Sequence, residues 1–177
     1  MSTLSRSAIL LVAALFAGAV APAVVSAGQE KAVPQAARNP LLDKVLKANG
    51  RFKNVSAALG EGYAPIPCAS GAGGGAMGIH YVNATYLKDD AIDLAHPEAV
   101  MYEPQPDGRL ELVGVEYITF KGSASLEGQL FNFAGAPNRY GLPPYYELHV
   151  WAWRHNPSGP FADMNPKVSC AAARYGR

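Results

Sequence analysis

The sequence predicts an α+β fold, in which short N-terminal helices pack on an antiparallel β-sheet that is either open or barrel-like. Charged residues make up only 16% of the chain, while 18 Gly and 14 Pro indicate many turns and a sheet-rich body. Capped helix signals lie in residues 39–59, residues 87–97 and 123–131 could form short helical turns, and strand-like segments follow from residue 77 onward. We therefore expect one α+β domain over residues 39–177.

The first 27 residues have the features of a secretory signal peptide. Arg6 is followed by an apolar run over residues 8–20 and then by the small residues Val25-Ser26-Ala27, a pattern typical of a cleavage site. We expect cleavage after Ala27, a periplasmic or secreted mature protein, and no membrane span in it. The alternative is an uncleaved N-terminal anchor. Residues 28–38 are expected to form a flexible lead-in.

The charge balance argues against nucleic acid and anionic membrane surfaces as partners. The chain has 15 Lys and Arg against 14 Asp and Glu, which gives a net charge of +1 at pH 7. The basic residues do not form a stripe or a cluster along the sequence. A small-molecule ligand is the class of partner that stays open.

The chain contains two cysteines, Cys68 and Cys170. In an exported protein such a pair predicts one disulfide bond. Because the closed loop is long, the chain-entropy estimate of its stabilisation is up to about 4–5 kcal/mol. The alternative is a pair of free thiols that bind a metal, although neither cysteine has the spacing of a zinc motif.

Two short helices are expected at the start of the domain. Asn39 and Pro40 suit an N-cap and the first helical position, and apolar residues then recur at helical spacing up to Gly50. A second helix is expected near residues 54–59. The glycine-rich residues 71–78 lack the pattern of a phosphate loop or a dinucleotide fingerprint. They predict either a flexible approach to the next strand or a close backbone approach to a ligand.

A β-hairpin is predicted in the middle of the chain. Residues 99–103 and 110–119 have strand composition, and the turn signal Pro106-Asp107-Gly108 separates them. Strict alternation in the second strand would put Leu112 on the same face as Glu116. An ionised Glu on a buried strand needs a partner, which makes Glu116 a candidate functional residue.

Residues 145–153 have the pattern of one strand with two unlike faces. One face is small and apolar, whereas the other combines aromatic and ionisable side chains, as the wall of a pocket does. The preceding residues 134–144 are irregular and long enough to form a lid or a pocket rim. The unusual face would carry Tyr145, Glu147, His149, Trp151 and Trp153.

Five short segments stand out as a set: Gly73–Asn83, His96–Pro104, Leu112–Tyr117, Leu148–Trp153 and Asn165–Cys170. Together they resemble a family of exported bacterial proteins of unknown function, over about residues 51–170. The resemblance implies export. It carries no particular activity, so it assigns no catalytic residue.

The first functional hypothesis is a mononuclear metal site on the predicted strands. Two His with one or two carboxylates would suit one divalent transition metal such as zinc, iron, manganese or copper. Glu116 is the strongest carboxylate candidate, while Glu147 could be a ligand or could orient His149. The candidate ligands are His80, Glu103, Glu116, Glu147 and His149.

The second hypothesis is a metal-free pocket for a small molecule. The same ionisable residues would orient the ligand or act as a general acid and base. The aromatic walls of this pocket would be Tyr81, Tyr145, Trp151 and Trp153.

These hypotheses lead to three functions, and none of them has assigned catalytic residues. The first is an exported protein that binds a small ligand or a single metal ion on the face carrying His and Glu. The alternatives are a metal-dependent periplasmic enzyme and a structural or interaction module of the cell envelope. Asp163 and Asn165 could bind a cation through oxygen, although turn capping is their more common role.

Overall fold

The computed structural model describes residues 39–71 and 74–174, which belong to one compact unit, Ala36–Arg177. The predicted signal peptide and lead-in therefore lie outside the described residues, as do two positions of the glycine-rich segment.

Three α-helices lie in the first half of the described chain: α1 (Pro40–Asn49), α2 (Val55–Gly60) and α3 (Ala84–Asp89). A 3-10 helix, Gly50–Lys53, connects the first two. The predicted start of α1 is confirmed, because the Asn39 side chain accepts a hydrogen bond from the Leu41 N–H at 2.9 Å. None of the helices in the described ranges has the length and apolar character needed to cross a membrane.

The strands form an antiparallel sheet, so the predicted α+β class is confirmed. Its main path runs β1-β3-β4-β5-β9-β8, β2 also pairs with β3, and β6 and β7 form a separate hairpin. In the described part of the chain the sheet is open, with β1 and β8 at the ends of the path. The bounds are β1 Tyr63–Pro65, β2 Ala69–Gly71, β3 Gly75–Asn83, β4 Ala99–Pro104, β5 Leu110–Thr119, β6 Ser125–Leu126, β7 Gln129–Leu130, β8 Asn132–Ala134 and β9 Tyr145–Val150.

One face of the sheet forms the main hydrophobic core with the N-terminal helices. Leu41 and Val45 of α1 are fully buried against strand residues such as Tyr102, and the Tyr102 hydroxyl donates to the Phe52 carbonyl at 2.7 Å. Alternation along β9 puts Leu148 and Val150 in this core. The members from the sheet are Tyr63, Tyr81, Val100, Tyr102, Leu112, Val115, Tyr117, Leu148 and Val150.

The alternation predicted for β5 is wrong at one point. Met101 pairs with Gly114 and Tyr102 pairs with Leu112, so a β-bulge leaves Val113 without a partner on β4. Leu112 consequently packs in the main core, on the face opposite Glu116. At Gly114 a Cβ would lie 2.5 Å from the Met101 side chain, so only glycine fits the bulge without displacement.

The C-terminal segment folds back over the other face of the sheet. The Trp151 N–H donates to the Pro160 carbonyl at 3.0 Å, so β9 ends at Val150 rather than continuing to residue 153 as predicted. The predicted disulfide is confirmed, and it joins Cys68 to Cys170 across 102 positions. Cys170 packs on a smaller apolar cluster formed by Ala76, Met101, Val113, Trp151 and Val168.

Candidate functional site

Three buried side chains from three strands converge on the face of the sheet opposite the main core. Glu116 on β5 and His149 on β9 are direct cross-strand partners. His80 lies on β3, and the small residue Ala99 on the intervening β4 leaves room for the longer side chains to meet. The Glu116 Oε2 atom is 3.4 Å from His80 Nε2 and 3.9 Å from His149 Nε2, and all three side chains are fully buried.

The loop before β9 adds two residues to this cluster, Arg139 and Tyr140. One guanidinium nitrogen, Arg139 Nη2, donates to Glu116 and also to Glu147 Oε2 at 2.6 Å. The same nitrogen lies 3.3 Å from His149 Nε2. The Tyr140 hydroxyl donates to the second oxygen of Glu116. Glu116 is therefore held between a cation and a phenol on one side and two imidazoles on the other.

A second carboxylate approaches His149 from the C-terminal segment. Asp163 Oδ1 is 3.5 Å from His149 Nδ1, and the Asp163 side chain is half exposed. Trp151 stacks on the imidazole, with the ring centroids 6.5 Å apart, and its indole N–H donates to the Ala162 carbonyl at 2.6 Å. Trp151 therefore fixes both the ring of His149 and the backbone beside Asp163.

Burial and the mutual charges shift the pKa values in the cluster. Burial, helped by Arg139 and His149, holds the pKa of His80 well below its ordinary value, so His80 is a neutral imidazole. Burial raises the pKa of Glu116 to about 7, although Arg139 and His149 act in the opposite direction. Burial is the largest single influence on His149 and would lower its pKa, but Glu116, Asp163 and Glu147 together outweigh burial and the pKa is raised. Burial is the largest single influence on Glu147 and would raise its pKa, but His149, Glu116 and Arg139 together outweigh burial and the pKa is lowered.

Many polar atoms in this cluster have no hydrogen-bond partner. Among the described residues, nine buried side-chain nitrogen or oxygen atoms lack one, and five of them belong to the cluster. Each orphaned buried polar atom costs about 1–3 kcal/mol. Such a concentration at one place is a feature of sites that bind something, rather than of optimised packing. The five atoms are His80 Nδ1, His80 Nε2, His149 Nδ1, Arg139 Nε and the Tyr145 hydroxyl oxygen, of which His149 Nδ1 still faces Asp163 at 3.5 Å and the Tyr145 hydroxyl interacts with Glu147.

The cluster contains a group of residues that could hold a metal ion. Ligand atoms of His80, Glu116 and His149 lie within 4.8 Å of one another, and those of Glu147, His149 and Asp163 form a second such group. Ligand atoms bound at about 2 Å to one ion lie roughly 3–4 Å apart. The two distances from Glu116, 3.4 and 3.9 Å, fall in that range.

Several residues singled out from the sequence lie elsewhere. The Glu103 carboxylate binds Arg154 at 2.6 Å and the Ser169 N–H at 2.9 Å. Tyr81 packs edge-on against Tyr102 in the main core, and Trp153 lines a separate surface cavity of about 630 Å³.

The remaining candidates divide between the cluster and a turn. Tyr145 and Trp151 contact the cluster, since Tyr145 packs against Tyr140 and Trp151 stacks on His149. Asn165 caps a turn, because its side chain accepts from the Lys167 N–H at 3.0 Å. In the described part of the glycine-rich segment, Ala76 pairs with Asn165 through two backbone hydrogen bonds.

Arg139 and Tyr140 are the site residues that sequence reasoning missed. They lie in a stretch of Gly, Pro and Asn without periodicity, so no strand or helix pattern marks them. The one available signal was the prediction that this stretch forms a lid or a pocket rim.

Comparison of the chain with protein-family models, with curated proteins and with solved structures gave no match. Function is therefore inferred from the geometry and chemistry of the cluster.

Proposed function

We propose that the protein is an exported metal-binding protein that holds one divalent transition-metal ion through His80, Glu116 and His149. One observation carries the proposal above the others. His80 is fully buried, and within the described residues neither ring nitrogen has a hydrogen bond of standard geometry, although the ring interacts with the Gly78 backbone. A neutral imidazole with a free lone pair, 3.4 Å from a carboxylate oxygen, has the state that a metal ligand requires.

The charge balance of the cluster supports a divalent ion. Glu116, Glu147 and Asp163 bring three carboxylates, and Arg139 brings one guanidinium. With neutral imidazoles and ionised carboxylates, two negative charges are left over, and a divalent cation would neutralise them. Without the metal, the raised pKa of Glu116 reduces the same excess by protonation.

The donor set favours particular metals. Two imidazoles and one carboxylate suit zinc, and copper is the strongest binder of nitrogen ligands among the first-row divalent ions. Calcium and magnesium prefer sites made entirely of oxygen. In the proposed complex, Glu147 is the nearest additional carboxylate, and Asp163 would orient His149 through its other nitrogen.

Export is part of the proposal and has support from two sources. Residues 1–27 have the pattern of a signal peptide, and five segments resemble a family of exported bacterial proteins. The Cys68–Cys170 disulfide is consistent with an oxidising compartment.

The decisive experiment is elemental analysis of the protein expressed with its own N-terminus and purified from the periplasm without chelator or affinity tag. We expect close to one equivalent of zinc or another transition metal. The double variant His80→Ala/His149→Ala should contain none, because it lacks both nitrogen ligands. The matched control is His96→Ala/His155→Ala, which removes the other two histidines of the chain and should keep the metal.

Two results would contradict this proposal. One is a metal-free wild-type protein whose melting temperature does not rise on addition of zinc, copper, manganese or iron(II). The other is equal metal content in the two double variants.

A second candidate is a metal-dependent enzyme that uses the same site. Three protein ligands leave a coordination position for water, as in catalytic rather than structural zinc centres. The test is hydrolysis of ester, amide or phosphate model substrates by the metal-loaded protein. Activity that is lost in His80→Ala/His149→Ala and kept in His96→Ala/His155→Ala would favour an enzyme over a binding protein.

A further inference from the structure

We infer that Arg139 is an internal cation of the site, which a metal must displace and which thereby decides which metals bind. This inference rests on the proposed function, because it concerns competition for the same ligands.

The contacts of Arg139 place one of its nitrogens where an ion would sit. Nη2 contacts Glu116, lies 2.6 Å from Glu147 Oε2 and lies 3.3 Å from His149 Nε2. The guanidinium carbon lies 4.6 Å from the centroid of the Tyr140 ring, and the buried Nε has no hydrogen-bond partner among the described residues. A guanidinium bound only for its own stability would normally use its planar fork of donors on a carboxylate.

The Arg139 guanidinium and a metal ion cannot both bind His149. Asp163 lies on the Nδ1 side of the ring, which favours a proton there and leaves the lone pair of Nε2 facing Arg139. That lone pair can accept from Arg139 or bind a metal, but not both. Glu116 adds a charge-based competition, because Arg139 and Tyr140 each donate to one of its two oxygens, and a metal cation beside it would be repelled by the Arg139 guanidinium.

The loop that carries Arg139 is held together by hydrogen bonds of its own. The Asn138 side chain donates to the carbonyls of Gly135 and Leu142 and accepts from the Tyr140 and Leu142 N–H groups. The loop therefore keeps its own hydrogen bonds if it shifts outward. The Arg139 side chain is 15% exposed, so it already reaches the surface of the cluster.

Exchange of the two cations would discriminate among metals. An ion that binds nitrogen weakly cannot compensate for the loss of the Arg139 contacts, whereas zinc and copper can. Removal of Arg139 should then raise the affinity for every divalent ion and bring weak binders into the measurable range.

The test is calorimetric titration of chelator-treated protein with zinc and, separately, with manganese. If Arg139 occupies the site for 90–99% of the time, Arg139→Met should bind zinc about 10–100-fold more tightly than the wild type. Manganese binding should become detectable in the variant. The matched control is Arg154→Met, which also removes a half-buried arginine from two carboxylates, Glu103 and Glu111, but away from the cluster. It should leave both titrations unchanged.

The outcomes separate the inference from the proposed function. Zinc binding to the wild type with equal or weaker binding to Arg139→Met would overturn the inference and leave the function intact. Zinc binding only to Arg139→Met, and not to His80→Ala/Arg139→Met, would support the position of Arg139 but overturn metal binding by the wild type. Absence of zinc binding to all of these variants would overturn both.

A measurement on the wild-type protein covers the case in which Arg139→Met does not fold. The buried Arg139 Nε–H should give a slowly exchanging signal in a ¹⁵N-arginine correlation spectrum, assigned with Arg139→Lys. Stoichiometric zinc should abolish or shift this signal and spare that of Arg154. An unchanged Arg139 signal in zinc-loaded protein would overturn the inference.

Discussion

The two faces of the sheet differ in how their buried polar groups are hydrogen-bonded. On the helix-covered face, buried tyrosines direct their hydroxyls to carbonyl groups, as Tyr102 does at Phe52 and Tyr117 does at Leu94. On the other face, five buried polar atoms of the cluster have no partner among the described residues. Both faces are built from the same strands, and adjacent residues of β9 belong to different faces. This contrast agrees with a first face that stabilises the fold and with the metal site proposed on the second.

The largest expected effect is on the apolar face. Leu148→Ala should lower the free energy of unfolding by about 2–5 kcal/mol, because the fully buried side chain leaves a cavity in the main core. Zinc affinity of the folded variant should stay within a factor of about three, because Leu148 points away from its neighbour His149. Urea denaturation and zinc titration are the measurements. A loss of zinc affinity by more than a factor of about three in the folded variant would mean that the two faces of the sheet do not act independently.

The next largest effect is expected on zinc affinity when the carboxylate beside His149 is removed. Asp163→Asn should weaken zinc binding about 10–100-fold, because it removes the carboxylate that faces His149 Nδ1 and orients the imidazole. The unfolding free energy should change little, since the Asp163 side chain is half exposed. The matched control is Asp93→Asn, which removes the carboxylate 2.8 Å from His96 on the surface. Equal zinc affinities in the two variants would show that Asp163 has no role in the site.

Glu98, a buried carboxylate outside the cluster, should make the stability of the protein depend on pH. Burial raises the pKa of Glu98 to about 8, and its Oε2 accepts from the Ile118 N–H at 2.8 Å. Because the folded-state pKa lies above the ordinary value of 4.5, the folded protein binds the proton more tightly between about pH 5 and 8. This contribution to stability is full below pH 4.5 and is lost as the pH rises to about 8.

Glu98→Gln should remove that pH dependence. The slope attributable to Glu98 is at most about 1.4 kcal/mol per pH unit, and the variant should be flatter than the wild type by this amount or less. Urea denaturation of metal-free protein at pH 5, 6, 7 and 8 measures it. Identical slopes in wild type and variant would rule out Glu98 as the titrating group.

The smallest effect on stability is expected at His80. His80→Leu should leave the unfolding free energy of the metal-free protein unchanged or raise it by about 1 kcal/mol, because it removes unpartnered buried nitrogens. The same variant should lose metal binding. His96→Leu should keep metal binding, because His96 lies at the surface, where it packs against Tyr86 of α3. Strong destabilisation by His80→Leu without added metal would identify His80 as a structural residue.

Some parts of the fold and the site follow from local patterns. Asn39 and Pro40 predict the start of α1, because capping depends on residues within one turn. The turn signal at residues 106–108 predicts the β4–β5 hairpin, and alternation along β9 predicts that Glu147 and His149 share a face. The disulfide follows from the number of cysteines and the expected compartment.

Other parts depend on contacts between distant segments. The β-bulge at Val113 and Gly114 reverses the face of Leu112, and strict alternation cannot reveal it. Tyr81 and Trp153 are aromatic strand or loop residues like Tyr145, but packing takes them to other surfaces.

The sequence by itself determined the α+β class, the disulfide partners and the chemical types of side chain on β3, β5 and β9. Only the tertiary structure decided that His80 reaches Glu116 across β4, that Glu116 faces His149, and that Arg139 enters from a loop. The physical reason is the separation along the chain of the residues that interact. Helix caps, turns and alternation are set by neighbours in the chain, whereas strand register and loop docking are set by the packing of residues far apart in sequence.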